Sequence, residues 1–162
     1  MSRILGVDPG LRTTGYGIVD VIGGRMTLVE AGIIEPNVRA PLERRLTELY
    51  AAMAEIVRTL HPDCMVVEEL WTAYRNPSTA VLMGHARGVL CLAGGQNGVE
   101  VRTLAHALVK RALVGSGAAG KDQVKKMVVR LLGLRRLPHP DDVSDALALA
   151  AAYGLRFDGV RT

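Results

Sequence analysis

Cysteine and aromatic residues are scarce in this chain of 162 residues. The two cysteines, Cys64 and Cys91, lie in apolar stretches without metal-ligand spacing. That argues against zinc and for buried thiols in a reducing cytosol. No apolar run approaches the roughly 20 residues of a membrane span, and the first strand pattern begins at once, so a cytoplasmic protein is expected. Low-complexity tracts and internal repeats are missing too. Tryptophan occurs once, at Trp71. Acid is nearly absent from one long stretch. Between Arg102 and Arg136 nine basic residues (Arg102, Lys110, Arg111, Lys121, Lys125, Lys126, Arg130, Arg135, Arg136) face the single acid Asp122. The net charge of +4 and pI near 9.4 favour a polyanionic partner only weakly. A sustained excess of one sign favours a phosphate-binding surface more strongly.

What is present is a regular alternation of buried strands and amphipathic helices. Residues 3–8, 14–21 and 26–35 read as three strands, with Gly23-Gly24 as the hairpin turn between the second and third. Leu42, Leu46, Leu49, Met53, Ile56 and Leu60 form one helical stripe that Pro62 stops. "DCMVVEE" is a fourth buried strand and "LWTAYRN" a loop. Pro77 opens a helix capped by Asn76. Residues 99–104 give a fifth strand, followed by helices at about 105–113, 121–133 and 141–155. The expected fold is α/β: a mixed five-stranded sheet with helices on both faces, as a single domain over 1–162.

Acids end these elements. Asp8 closes the first strand and Glu68 the fourth, so parallel neighbouring strands would bring the two together at one edge of the sheet. Strand alternation puts Glu68 and Glu69 on opposite faces, and Glu68 is preferred. In "PHPDDVSDALALA", Asp142 and Asp145 share a helix face, whereas Asp141 reads as a helix cap. Carboxylates pushed together repel and raise one another's pKa values, and a divalent cation relieves this. Hard oxygen donors without a Cys or His cluster suit Mg²⁺ or Mn²⁺. Two such ions about 4 Å apart can activate water and stabilise the leaving oxygen of a phosphodiester.

With these acids placed, the sequence closely resembles the RuvC family of Holliday-junction resolvases, endonucleases with a ribonuclease H-like fold. The resemblance rests on "GVDPGLRTTGYGIV", "VVEELW", "GHARGV", "LVKRALVGSGAAGKDQV" and "DDVSDALALA", in order and at the family's spacing. It implies catalytic, metal-binding acids at Asp8, Glu68, Asp142 and Asp145. It implies DNA-phosphate contacts at Lys110 and Lys121, and a base-unstacking aromatic at Trp71, beside which lie Tyr74 and Arg75. It further implies symmetric paired nicks across a four-way junction, in recombination and repair, and work alongside a RuvA–RuvB branch-migration motor.

Two other readings compete at this level. "DPGLRTTGYG" is also similar to the phosphate-binding turn of actin-like sugar kinases, which require a second phosphate loop and a larger second domain. An inert ribonuclease H-like module could hold branched nucleic acid without cutting it. A homodimer is expected as well. The helix from about Pro77 to Gly94 is apolar on more than one face, and Gly84 and Gly88 allow close helix approach.

Overall fold

The computed structural model describes residues 1–70, 77–136 and 138–157. Three antiparallel strands come first: β1 (Ser2–Asp8), β2 (Thr14–Ile22) and β3 (Arg25–Ile34). Gly23 and Gly24, both at positive φ, make the tight turn between β2 and β3. The helix α1 (Leu42–Leu60) follows and ends in His61, a left-handed residue whose N–H bonds the Val57 carbonyl, with Pro62 beyond it. Then come β4 (Cys64–Glu68), α2 (Pro77–Gln96), β5 (Glu100–Leu104), α3 (His106–Val114), α4 (Lys121–Leu131) and α5 (Asp141–Phe157). The helix expected to reach residue 133 stops earlier. Gly133 takes a positive φ, and Leu134 N–H bonds back to the Val129 carbonyl.

The five strands form one sheet in the order β3-β2-β1-β4-β5, with β1, β4 and β5 parallel. Alternation divides the core into two layers. Leu5, Val7, Met65 and Val67 point to one face, where they meet Leu49, Met53 and Val57 of α1 and Ala86, Leu90 and Ala93 of α2. Ile4, Val66, Val19 and Val21 point to the other, against α3, α4 and α5. Fully burying a side chain of this size contributes about 1.5–3 kcal/mol, so both faces need their helices.

α5 lies unusually close to the sheet, and glycine is the reason. A Cβ on Gly6 would overlap the Ala146 carbonyl, one on Gly15 the Asp142 carbonyl, and one on Gly17 the Leu147 side chain. The small residues of β1 and β2 thus form a bed for the helix backbone. At the far end of the sheet, Arg3 fastens the strands. Its guanidinium donates from Nε and Nη2 to the two Asp20 oxygens at 2.8 and 2.9 Å, and from Nη1 to the Leu60 carbonyl at 2.8 Å.

Candidate active site

Asp8 continues the Ile4–Gly6 side of β1, and Glu68 continues the Cys64–Val66 side of β4. The parallel register sets Val7 beside Val67, so both acids emerge together at the strand ends, under α5. The expectation that these strands are parallel neighbours is met. Glu69 sits one step further, exposed, with its N–H on the Leu104 carbonyl. The turn after Asp8 is locked by buried Thr14, whose hydroxyl donates to the Gly10 carbonyl at 2.6 Å and accepts from Gly10 N–H at 3.1 Å.

α5 supplies the roof. Gly15 lets the Asp142 backbone rest directly on β2, and buried Ser144 donates to the Pro138 carbonyl at 2.9 Å, fixing the approach to the helix. The result is visible in the charge balance of Asp8. Its carboxyl is pushed up to about 8, first by burial, then by Glu68, Asp145 and Asp142, with Lys121 opposing. At neutral pH that group is mostly protonated unless a cation joins it.

Basic residues form the opposite wall. A small pocket is lined by Glu68, His106, Lys110, Lys121 and Asp145 over a floor of Val109, Val124, Ala148 and Leu149. Lys121 Nζ lies 2.9 Å from Asp145 Oδ2 and 3.5 Å from Asp141 Oδ2. His106 Nδ1 is 2.7 Å from Glu68 Oε1. From the other face of the sheet, Arg87 donates to the Glu68 carbonyl at 3.1 Å and to Thr103 Oγ1 at 2.7 Å, bracing the ends of β4 and β5.

Three of these features do not follow from the sequence reading. His106 could have been found from the register, because Leu104 pairs with Glu68 and the chain turns into α3 two residues later. Arg87 lies in "GHARGV", one of the stretches that carry the family resemblance, but the sequence reading gave it no role. Asp141, expected as a cap, is instead the first residue of α5, and its Oδ1 lies 2.5 Å from Lys125 Nζ. Trp71, Tyr74, Arg75 and the expected cap Asn76 lie outside the described residues.

Residues 4–153 match the family model described as crossover junction endodeoxyribonuclease RuvC. The chain belongs to the RuvC family. A RuvC from Pelotomaculum thermopropionicum is 45% identical over 150 residues, covering 93% of this chain and 91% of that one. One from Rhodopirellula baltica is 42% identical over 149 residues, covering 92% and 84%. Thermus thermophilus RuvC in complex with a Holliday junction substrate superposes with a TM-score of 0.91 at 31% identity, over 96% of this chain and 94% of that one. The five-stranded sheet and its helices are therefore the ribonuclease H-like fold of this family of endodeoxyribonucleases, and the sugar-kinase reading falls away.

RuvC-family nucleases depend on divalent metal, and the donor set suits one. Among the described residues no three His, Cys, Asp or Glu side chains already converge as a metal cluster. Glu68 is turned onto His106 and Asp145 onto Lys121. Yet burial, with Glu68, Asp145 and Asp142 nearby, favours a proton on Asp8, and all four acids are hard oxygen donors. A divalent cation would replace that proton and draw Glu68 and Asp145 from their present partners.

Proposed function

We propose that this protein resolves four-way DNA junctions by symmetric paired nicks, leaving 5′-phosphate and 3′-hydroxyl ends, in recombination and repair. The observation that carries the reading is the meeting of Asp8 and Glu68 at adjacent parallel strand ends beneath Asp142 and Asp145. Asp8, Glu68, Asp142 and Asp145 are the residues that would hold two Mg²⁺ or Mn²⁺ ions. When bound, these ions supply the activation of the attacking water and the stabilisation of the leaving oxygen.

The chain's own groups do the rest. Lys110 and Lys121 flank the acids and neutralise the phosphate beside the scissile bond. Lys121 opens α4, whose N-terminal backbone N–H groups add to the pull on phosphate. His106 and Arg87 hold Glu68 by side chain and by backbone. Trp71, with Tyr74 and Arg75 in the same loop, is assigned to unstacking bases at the crossover. Stacking on a base is worth roughly 1–3 kcal/mol, enough to hold an opened junction.

Paired nicks require two sites, and the reading includes a homodimer through α2. Val81, His85, Gly88 and Leu92 fall on one exposed face of that helix, and a Cβ on Gly88 would meet nothing. The domain assignment is one nuclease domain over 1–162, working in the cytoplasm beside RuvA–RuvB. No helix among the described residues is long and apolar enough to cross a membrane.

The test is cleavage of junction and linear duplex DNA of matched sequence, with Mg²⁺, Mn²⁺ or chelator. Paired nicks confined to the junction and lost with chelator are expected. Binding without cutting would favour the inert module, and equal cutting of linear duplex would remove the junction specificity.

A further inference from the structure

The helices α4 and α5 face each other with a square of charges. Lys121 and Lys125 are one helical turn apart on α4, and Asp141 and Asp145 one turn apart on α5. Lys125 Nζ takes Asp141 Oδ1 at 2.5 Å and is only 14% exposed, so this pair is the fixed side of the square. Lys121 is the movable side. Its side chain is 54% exposed, and its ammonium lies within 4 Å of both Asp145 Oδ2 and Asp141 Oδ2.

This arrangement bears on how a cation reaches Asp145. The ammonium of Lys121 covers one oxygen of Asp145, in direct competition with a divalent ion. An ammonium pushed off one carboxylate is least costly where a second carboxylate is already in reach. Asp141 is such a group: its Oδ1 is held by Lys125, which leaves Oδ2 turned toward Lys121. We propose that Asp141 is a positioning residue that receives Lys121 when a divalent cation takes Asp145, keeping the ammonium beside the site while freeing the ligand. Asp141 itself holds neither metal nor DNA in this scheme. Without it, Lys121 has Asp145 as its remaining carboxylate and opposes the cation.

The inference rests on the reading of Asp145 as a cation ligand, and one experiment separates the two. Mn²⁺ alone is titrated calorimetrically into DNA-free protein. Asp141→Asn is expected to weaken Mn²⁺ binding by about fivefold, the equilibrium equivalent of one exposed ion pair. In a Lys121→Met background, where no ammonium competes, the same substitution should change binding little. Asp141→Glu should bind as the parent does. Because Asp141→Asn leaves Lys125 unpaired, Asp141→Asn combined with Lys125→Gln is measured beside it, and the same dependence on Lys121 is expected. Equal weakening with and without Lys121 would mean that Asp141 acts only as a distant negative charge, and the proposal fails. No weakening in either background sinks it too. Mn²⁺ binding that ignores Asp145→Asn would overturn the cation-site reading itself, and this inference with it.

Discussion

Replacing Asp8 by Asn should make the metal-free protein more stable while abolishing cleavage. Burial and three neighbouring acids raise the Asp8 carboxyl from 3.8 to about 8. The unfolded chain therefore gives up this proton near pH 4, while the folded chain keeps it until about pH 8. Over that window the folded state binds more protons than the unfolded state, so stability falls as pH rises. Each pH unit crossed costs about 1.4 kcal/mol, which puts the ceiling at pH 7 at about 4 kcal/mol. Partial exposure and screening reduce it, and about 2 kcal/mol is a realistic share. Asparagine has the shape and charge of the protonated acid and removes the ionisation altogether. Thermal melts in chelator should then show Asp8→Asn above wild type by roughly 4–8 °C near pH 8, at about 2–4 °C per kcal/mol for a chain of this size. The gap should close toward pH 4. Mg²⁺ or Mn²⁺ should raise the wild-type melting temperature and leave the variant nearly unmoved. An Asp8→Asn protein that melts below wild type at pH 8, or a gap indifferent to pH, would refute the crowded-acid account.

Gly15→Ala should force the Asp142 backbone off β2, costing about 1–3 kcal/mol by overpacking and lowering the cleavage rate far more than junction affinity; cleavage and filter binding measured together check this. Asp20→Asn leaves Arg3 without its two-point partner and should cost about 1.5–3 kcal/mol in urea melts at neutral pH. Arg3 holds the Asp20 carboxyl below its ordinary value. Its stabilisation is therefore complete above the ordinary value and fades as acid takes the pH through the lowered one, so the gap between variant and wild type should narrow there. Leu92→Arg on the exposed face of α2 should convert a dimer to monomers in sedimentation without lowering the monomer's melting temperature; dimers that persist would place the interface elsewhere.

The backbone of this protein was legible because its punctuation is local. Gly23-Gly24 and Pro62 mark the β2–β3 turn and the end of α1, and periods of two and of three to four separate strands from helices. The convergence of Asp8 and Glu68 was legible from the strand ends once β1 and β4 were taken as parallel neighbours, which they are. Charge partners were not legible, since a long side chain chooses among anions by three-dimensional distance. Lys121 reads in sequence as a DNA contact, yet in the folded chain it bridges two carboxylates of α5. Glu68 reads as a free ligand, yet it holds His106. The packing role of the glycines was not legible either. Gly15 and Gly17 look like parts of a phosphate-binding turn, but their nearest neighbours are Asp142 and Leu147.

That close approach explains how so few residues can build the site. An acid at a strand end is placed by the sheet ladder, whereas an acid on a helix is placed only as well as the helix is seated. Gly6 and Gly15 seat α5 backbone-on-backbone, and Gly17 makes room for the Leu147 side chain. Ser144 and the Pro138 carbonyl hold the loop leading into it. Asp142 and Asp145 thereby inherit the rigidity of β1 and β2, and the remaining freedom lies in the tips of the side chains. The Glu68 and Asp145 carboxylates are taken up by His106 and Lys121, groups that a divalent cation held there would have to displace. The fold supplies a fixed frame of acids, and on the proposed reading the basic residues around it are what would rearrange on binding metal and phosphate.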